Sequence, residues 1–361
     1  MDKLDILYKQ WQELQPLSQR KHYLLNQRFM VDYNYNSNHI EGNTLTYGQT
    51  EMLLLLGKVS GEGELKDYND MKASQVALKI IQNEGGLTDE TDLKNIPLSQ
   101  NFIRELHKVI LREDYTVYSN TQKGIPTSYT IHAGVYKTRP NSVITRYGQR
   151  FDYATPEETA ALMSDLVDWY NDAQNSGKYS AVELAALFHY RYIRIHPFED
   201  GNGRIARLMT NYILARNGWP MVVVRSRNKS QYIDALHSSD LAVGPIASDG
   251  AHAQIKQIGT FLRYFKQLVA EQLRYNIDFV KETSPNVWWY DGQKITFRSQ
   301  STPVILNAMQ QNPDITIEQL AAKSGIVTSA VKKQLKLMID KGFIERRTSD
   351  KTWYVFICSS N

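Results

Sequence analysis

Cysteine is nearly missing from this chain of 361 residues: Cys358 stands alone, so no disulfide can close within it and a reducing compartment is expected. Long apolar runs are missing too. No stretch approaches the length of a membrane span, and Met1 to Lys9 lacks the apolar core of a signal peptide, so the expected location is cytoplasmic with no membrane partner. Charge of one sign is scarce, since 42 Lys and Arg against 38 Asp and Glu leave a formal +4, too little to demand nucleic acid as a partner. There is no internal repeat and no low-complexity tract. What remains, 42% hydrophobic and 22% charged, is an ordinary globular composition, and 361 residues exceed one core, so two or three units are expected.

The informative segment runs His196-Pro197-Phe198-Glu199-Asp200-Gly201-Asn202-Gly203-Arg204-Ile205-Ala206-Arg207. Gly201 and Gly203 admit backbone conformations closed to other residues, so successive N–H groups can face one concavity of a size for an anion. Arg204 to Leu214 has helical spacing, which sets that concavity at a helix N-terminus, where unpaired amides and the macrodipole favour negative charge. Arg204 and Arg207 fall one turn apart and can reach separate phosphate groups with planar forks suited to them. Asp200 is a hard oxygen ligand of the kind Mg²⁺ takes when phosphates complete its shell. Taken singly, a histidine after an apolar helix is a capping or packed residue and Gly-Asn-Gly a loop; in this register the set reads as a phosphate-handling site.

At every defined position His196 to Arg207 resembles the signature of the Fic family, His-x-Phe-x-(Asp/Glu)-Gly-Asn-Gly-Arg-x-x-Arg. The resemblance implies transfer of AMP from ATP to a Ser, Thr or Tyr hydroxyl of a target protein, with release of pyrophosphate. It implies His196 as the general base, an imidazole titrating near neutral pH, and Asp200 as the holder of Mg²⁺ between the α- and β-phosphates. Gly201, Asn202, Gly203, Arg204 and Arg207 would bind the nucleotide, their amides cradling the charge that grows in the transition state. Related Fic-like kinases carry lysine in place of the second glycine; Gly203 therefore favours AMP transfer. Whether the same site also removes AMP is left open by the sequence.

Flanking residues extend the resemblance. Ala181 to Ile193 reads as a helix delivering His196 at its end, with His189 assigned to packing or a local hydrogen bond. Gly134 to Thr138, then Ser142 to Thr145 with Tyr147-Gly148, read as strand, turn and strand. This resembles the family's flap, with Val143, Ile144 and Thr145 placed to pair with a target segment. Lys137 stands where relatives often have Arg. In Arg227 to Leu236, Tyr232 is either the tyrosine that contacts adenine or a core aromatic; Asp240, where relatives often carry Asn, is a further nucleotide-binding candidate. Ser37-Asn38-His39-Ile40-Glu41-Gly42 resembles the family's inhibitory motif, (Ser/Thr)-x-x-x-Glu-(Gly/Asn). Ser37 and Glu41 share a helix face, and the resemblance implies that Glu41 reaches Arg207, taking the donors a γ-phosphate needs and making the chain autoinhibited.

Elsewhere helix dominates. Residues 2–40 are helical with a break near Gln15-Pro16, Met52 to Gly57 continues into a loose connector to Gly63, and Gly85-Gly86 and Asn95-Ile96-Pro97 mark breaks. Ser99 caps a helix, Pro156 opens another through Leu162, Leu166 and Trp169, and a long helical pattern follows Pro245 to Phe279. After residue 281, Thr316 to Ile326 and Val327 to Met338 read as helix, turn and helix, and Lys341 to Arg346 and Lys351 to Phe356 as strands, resembling a winged helix-turn-helix. Lys332 and Lys336 share a face there, but residues 301–361 hold only 8 Lys and Arg against 5 Asp and Glu, so the module docks DNA or protein, including a second copy as a homodimer. The expectation is a mainly α protein: an N-terminal helical region with the inhibitory motif over 1–95, a Fic helical fold with a β-hairpin flap over 96–280, and a winged-helix domain over 281–361. An autoinhibited adenylyltransferase using Mg²⁺ and ATP is the first reading of function; a DNA-binding regulator with a nucleotide-sensing domain is the second.

Overall fold

The computed structural model describes residues 2–84, 96–120, 124–144, 148, 150–347 and 351–360. In chain order, α1 (Lys3–Gln12), α2 (Gln19–Ile40), α3 (Tyr47–Leu56), α4 (Leu65–Glu84) and α5 (Gln100–Leu111) come first. Two antiparallel hairpins follow, β1 (Tyr115–Asn120) with β2 (Pro126–Ile131), then β3 (Ser142–Ile144) with β4 (Arg150–Asp152). Next are α6 (Pro156–Ser176), α7 (Ala181–Ile195), α8 (Asn202–Arg216), α9 (Lys229–Val243), α10 (Ala247–Ala251) and α11 (Gly259–Lys281). The chain continues through β5 (Val287–Tyr290), β6 (Gln293–Thr296), α12 (Ser301–Gln311), α13 (Ile317–Ser324), α14 (Thr328–Asp340), β7 (Ile344–Arg346), β8 (Trp353–Val355) and β9 (Cys358–Ser359). The fold is mainly helical, and among the described residues no helix is long and apolar enough to cross a membrane.

Local chemistry starts these helices. Thr46 with Gln49, Thr155 with Glu158, Ser180 with Glu183 and Thr316 with Gln319 each form a reciprocal capping box, satisfying two otherwise orphaned groups at the entrances to α3, α6, α7 and α13. Ser99 caps α5 by accepting from the Phe102 amide. Gly57, Gly177 and Gly325 end α3, α6 and α13 in the left-handed conformation.

Two compact units result, one of residues 1–4, 36–43 and 65–272, the other of 5–35, 44–64 and 273–361. The first 64 residues are thus divided between both. In the first unit α7 and α8 lie side by side at the centre, flanked by α4, α5, α6 and α10. Phe188, Tyr192, Ile195, Ile205, Leu208 and Met209 are fully buried there, each burial contributing about 1.5–3 kcal/mol before entropic costs. In the second unit α12, α13 and α14 close on Trp288, Leu306, Met309, Leu320, Val331, Leu335 and Trp353, with β7 and β8 as the wing and β6-β5-β9 as a separate sheet. Gly48 of α3 meets the Phe356 ring so closely that a Cβ would lie 2.6 Å from it.

Three expectations need correction. Residues 134–138 are not a strand: the Lys137 amide donates to the Pro197 carbonyl, 2.8 Å away, and no ladder forms. The hairpin at the segment expected to form the flap is β3 with β4, pairing Val143 with Phe151 and Ile144 with Arg150, while Thr145 and Tyr147 lie outside the described residues. The long helix begins at Gly259 rather than after Pro245, because residues 252–258 turn repeatedly after short α10. The breaks at Gly85-Gly86 and Asn95 also fall outside the described residues.

Candidate active site

His196 closes α7 and α8 opens six residues later, so a short loop carries the whole motif between two buried helices. His196 itself adopts φ 52°, a left-handed conformation uncommon for a residue with a side chain, as the C-cap whose amide donates to the Tyr192 carbonyl. Gly201 has φ 75°, but Gly203 is helical. Its requirement is therefore space and not backbone freedom, since a Cβ there would collide with Oε1 of Glu41. The Asn202 side chain accepts from the Phe198 amide at 3.0 Å and donates to its carbonyl at 2.7 Å, locking the loop at the start of α8, whose first residues, Asn202 and Gly203, line the cleft and whose first-turn amides have no intrahelical acceptor.

That cleft has a cavity of about 350 Å³, and its wall carries His196, Asp200 to Gly203, Arg207, Glu41, Tyr232, Asp240, Val143 and Ile144. The motif, Glu41 and the hairpin therefore share one cavity. Arg204 does not stand on its wall; it lies 3.5 Å from Asp200 and 3.6 Å from Asp70 of α4, between two carboxylates.

Behind the loop, residues 137–141 act as a clamp. Lys137 Nζ donates to Asn141 at 2.8 Å and to the Ile195 carbonyl at 3.1 Å, while Asn141 donates to the carbonyls of Phe198 and, at 3.4 Å, His196. Burial lowers the Lys137 ammonium to about 8. The His196 ring stacks on Tyr153 at 3.9 Å. Burial, then the charge of Lys137, lower its pKa to about 4, so the near-neutral titration expected of this imidazole is not met: the ring is a neutral acceptor throughout the physiological range.

Asp200 is oriented from three sides. Tyr115 of β1 donates to Oδ2 at 2.7 Å, the Gly201 amide donates to Oδ1, and His107 of α5 takes the Asp200 carbonyl at 3.0 Å. Because His107 Nδ1 accepts from the Gly134 amide, its Nε2 carries the hydrogen. Burial opposes ionisation of Asp200, yet Arg204, the Tyr115 hydroxyl and the Gly201 amide together hold its carboxyl below the ordinary value. Among the described residues no three His, Cys, Asp or Glu side chains converge to cage a metal. The ionised Asp200 carboxylate on the cavity wall fits Mg²⁺, which takes one or two carboxylates and completes its shell with phosphate and water.

Arg207 is held by the last turn of α2 and the Glu41 that follows it. Its Nε donates to Ser37 Oγ at 3.0 Å, and Nη2 donates to the Ser37 carbonyl at 2.8 Å and to Glu41 Oε1 at 2.6 Å. Burial would raise the Glu41 carboxyl, but the charge and hydrogen bond of Arg207 and the charge of Arg204 hold it low. Gly42 follows with φ 96°, turning the chain away at the helix end. Asn36, one residue before Ser37, is fixed by the amide and hydroxyl of Ser226.

Tyr232 is both buried and on the cavity wall, so its two readings are not exclusive. Its hydroxyl bonds His189 Nε2 at 2.8 Å, and His189 Nδ1 bonds Thr210 of α8. Burial lowers His189 to about 3, which makes it a neutral packing histidine as expected. Asp240 accepts from Tyr190 at 2.8 Å and Arg194 at 3.4 Å, and burial raises its carboxyl. Sequence reasoning missed Tyr115, His107, Asn141 and Asp70 as parts of the site. Only His107 left a signal, a histidine on the apolar face formed by Ile103, Leu106 and Ile110 of α5.

With that geometry in view, the Fic/DOC family profile matches residues 97–214 and a winged helix-turn-helix DNA-binding profile matches residues 301–345. Protein adenylyltransferase fic-1 of Caenorhabditis elegans is 29% identical over 264 residues, 73% of this chain and 44% of that protein. Protein adenylyltransferase Fic of Drosophila willistoni is 30% identical over 198 residues, 55% of this chain and 34% of that protein. This chain thus spans less than half the length of these curated relatives. Among solved structures, Fic-1 of C. elegans is 26% identical with a TM-score of 0.57, covering 78% of this chain and 73% of that one. A Fic-domain signalling protein from Bacteroides thetaiotaomicron is 47% identical with a TM-score of 0.71, and the match covers 78% of this chain and 98% of that one. A signature complete from His196 to Arg207, a matching profile over the helices that hold it, and a relative matched almost from end to end all agree: the chain belongs to the Fic/DOC family.

Proposed function

We propose that this protein transfers AMP from ATP to a hydroxyl side chain of a target protein and is restrained by its own Glu41. The observation that carries this reading is the convergence of His196, Asp200, the α8 N-terminus and Arg207 on one cavity, with Glu41 seated on Arg207. In the reaction the target hydroxyl oxygen forms a bond to the α-phosphorus, the bond from that phosphorus to the bridging oxygen breaks, and pyrophosphate leaves with the electron pair. His196, neutral and on the cavity wall, takes the hydroxyl proton. The first amides of α8 and its dipole face the charge that grows on the α-phosphate oxygens. Asp200 would hold Mg²⁺, which when bound neutralises phosphate charge. Arg207, once released by Glu41, offers its fork to the γ-phosphate. Strand β3, with Val143 and Ile144 exposed, offers an edge to an extended target segment.

Incubation of the full chain and its Glu41→Gly variant with α-labelled ATP and cell lysate tests the proposal. Label should appear on protein and vanish with His196→Ala; label that persists, or none from either chain, would overturn it.

A second reading, a DNA-binding regulator with a nucleotide-sensing site, draws on one feature: Lys332, Lys333 and Lys336 are all exposed on α14, the second helix of the helix-turn-helix. Salt-dependent retention of a DNA duplex by the full chain, lost in Lys332→Ala/Lys336→Ala, supports that role; it is compatible with the transferase.

A further inference from the structure

Two cationic side chains of the cavity, not one, are held by the end of α2. Among the described residues the cations on the cavity wall are Arg194, Arg207 and Lys229. Arg194 is turned to protein groups, donating to the carbonyls of Gly244 and Ile246 at 2.9 and 2.8 Å. Arg207 takes the Ser37 carbonyl and the Glu41 carboxylate. Lys229, the first residue of α9, donates from Nζ to the Ile40 carbonyl at 2.6 Å.

Ile40 is the last residue of α2 and the neighbour of Glu41. Its carbonyl is one of those a helix leaves without an intrahelical donor, and it carries the negative end of the helix dipole. The last turn of α2 and the Glu41 that follows it therefore present two carbonyl oxygens and a carboxylate to a guanidinium and an ammonium. This is the donor and acceptor arrangement that phosphate oxygens would make with the same cations. Three residues on from Lys229, on the same face of α9, Tyr232 also lines the cavity. Lys229 thus stands between the inhibitory turn and the nucleotide-facing side of that helix.

We propose that Lys229 is a polyphosphate-binding residue, and that the end of α2 occupies it together with Arg207 as an internal substitute for the β- and γ-phosphates. The proposal rests on the nucleotide reading of the cavity and extends it to a residue outside the signature. Unlike an arginine fork, the ammonium is a compact point charge on a flexible stem, so it can leave the Ile40 carbonyl for a phosphate oxygen without moving α9.

Calorimetric titration of the full chain with Mg-ATP and with adenosine tests it, in the Glu41→Gly background that removes the carboxylate from Arg207. Lys229→Met should weaken ATP binding about tenfold, the effect of one charge-assisted contact, and leave adenosine binding unchanged. Lys229→Arg should restore most of the ATP affinity. In the chain that keeps Glu41 the loss should be smaller, because removing the ammonium also loosens the α2 end that competes with ATP. If ATP binds and Lys229→Met leaves its affinity intact, or if adenosine weakens equally, the assignment of Lys229 fails while the nucleotide site stands. If no chain binds ATP, both fail.

Discussion

Oε1 of Glu41 occupies the space in which a Cβ on Gly203 would stand, and Nη1 of Arg207 would lie only 3.1 Å from that atom. Glu41 and the signature's second glycine therefore exclude one another's bulk. Gly203 is helical, where alanine ordinarily gains about 0.5–1 kcal/mol over glycine. With Glu41 present the methyl group must push the carboxylate from Arg207. Gly203→Ala should lower the melting temperature of the parent and leave that of Glu41→Gly level or higher, a coupling of about 1 kcal/mol in a double-mutant cycle. Equal shifts in both backgrounds would mean that Glu41 does not reside there in solution.

Glu41→Gly should raise AMP transfer, self-modification included. The ion pair at 2.6 Å is charge-assisted, a class worth about 1.5–3 kcal/mol, but two-fifths of the Glu41 side chain remains accessible and solvent screens it. The expected gain is about one to two decades, toward the lower figure. It should require Arg207: Glu41→Gly/Arg207→Ala should fall back to parental turnover or below. Initial rates across ATP concentrations decide, and a Glu41→Gly chain no faster than the parent returns the motif to a merely structural helix end.

Metal dependence separates Asp200 from its support. Asp200→Ala should remove the Mg²⁺ dependence of nucleotide binding along with most transfer. Tyr115→Phe deletes only the donor that orients Oδ2, so it should raise the Mg²⁺ concentration for half-maximal activity by roughly tenfold while leaving the maximum nearly intact. Unchanged Mg²⁺ titrations in Tyr115→Phe would reduce that hydroxyl to a packing contact.

How far the site was legible in sequence follows from how local each part is. His196 to Arg207 lies in twelve consecutive residues and Ser37 to Gly42 in six, so their spacing alone fixed which side chains share a face. Their supports come from elsewhere: His107 on α5, Tyr115 on β1, Asp70 on α4, Lys229 on α9, each brought in by packing that no local pattern encodes. Residues 134–138 show the same limit. Their composition suited a strand, but the Lys137 amide finds its acceptor at Pro197, and that tertiary hydrogen bond overrides local preference. The β1–β2 hairpin left a faint trace in the alternation of Tyr115 with Val117 and Tyr129 with Ile131 around Gly124. The Ser99 cap, being wholly local, was readable; the division of the first 64 residues between two units was not.

The pH profile of transfer bears on Lys137. As the proposed base His196 must be unprotonated, and burial, reinforced by Lys137, lowers its pKa to about 4 from the ordinary value near 6.5. As pH falls, the active form is therefore retained through the range in which a free imidazole would protonate, and kcat/KM should hold down to about pH 5. Lys137→Met removes the positive neighbour, which favours the protonated ring and must move the acid limb upward toward neutral pH. It also frees the Ile195 carbonyl, so a lower maximum is expected as well; Lys137→Arg keeps the charge and should keep the limb in place. Measuring the variants against the parent at one Mg-ATP concentration cancels any titration of the nucleotide. A parental acid limb near 6.5, or a limb in Lys137→Met that does not move, would show that this ammonium positions the loop without tuning the base.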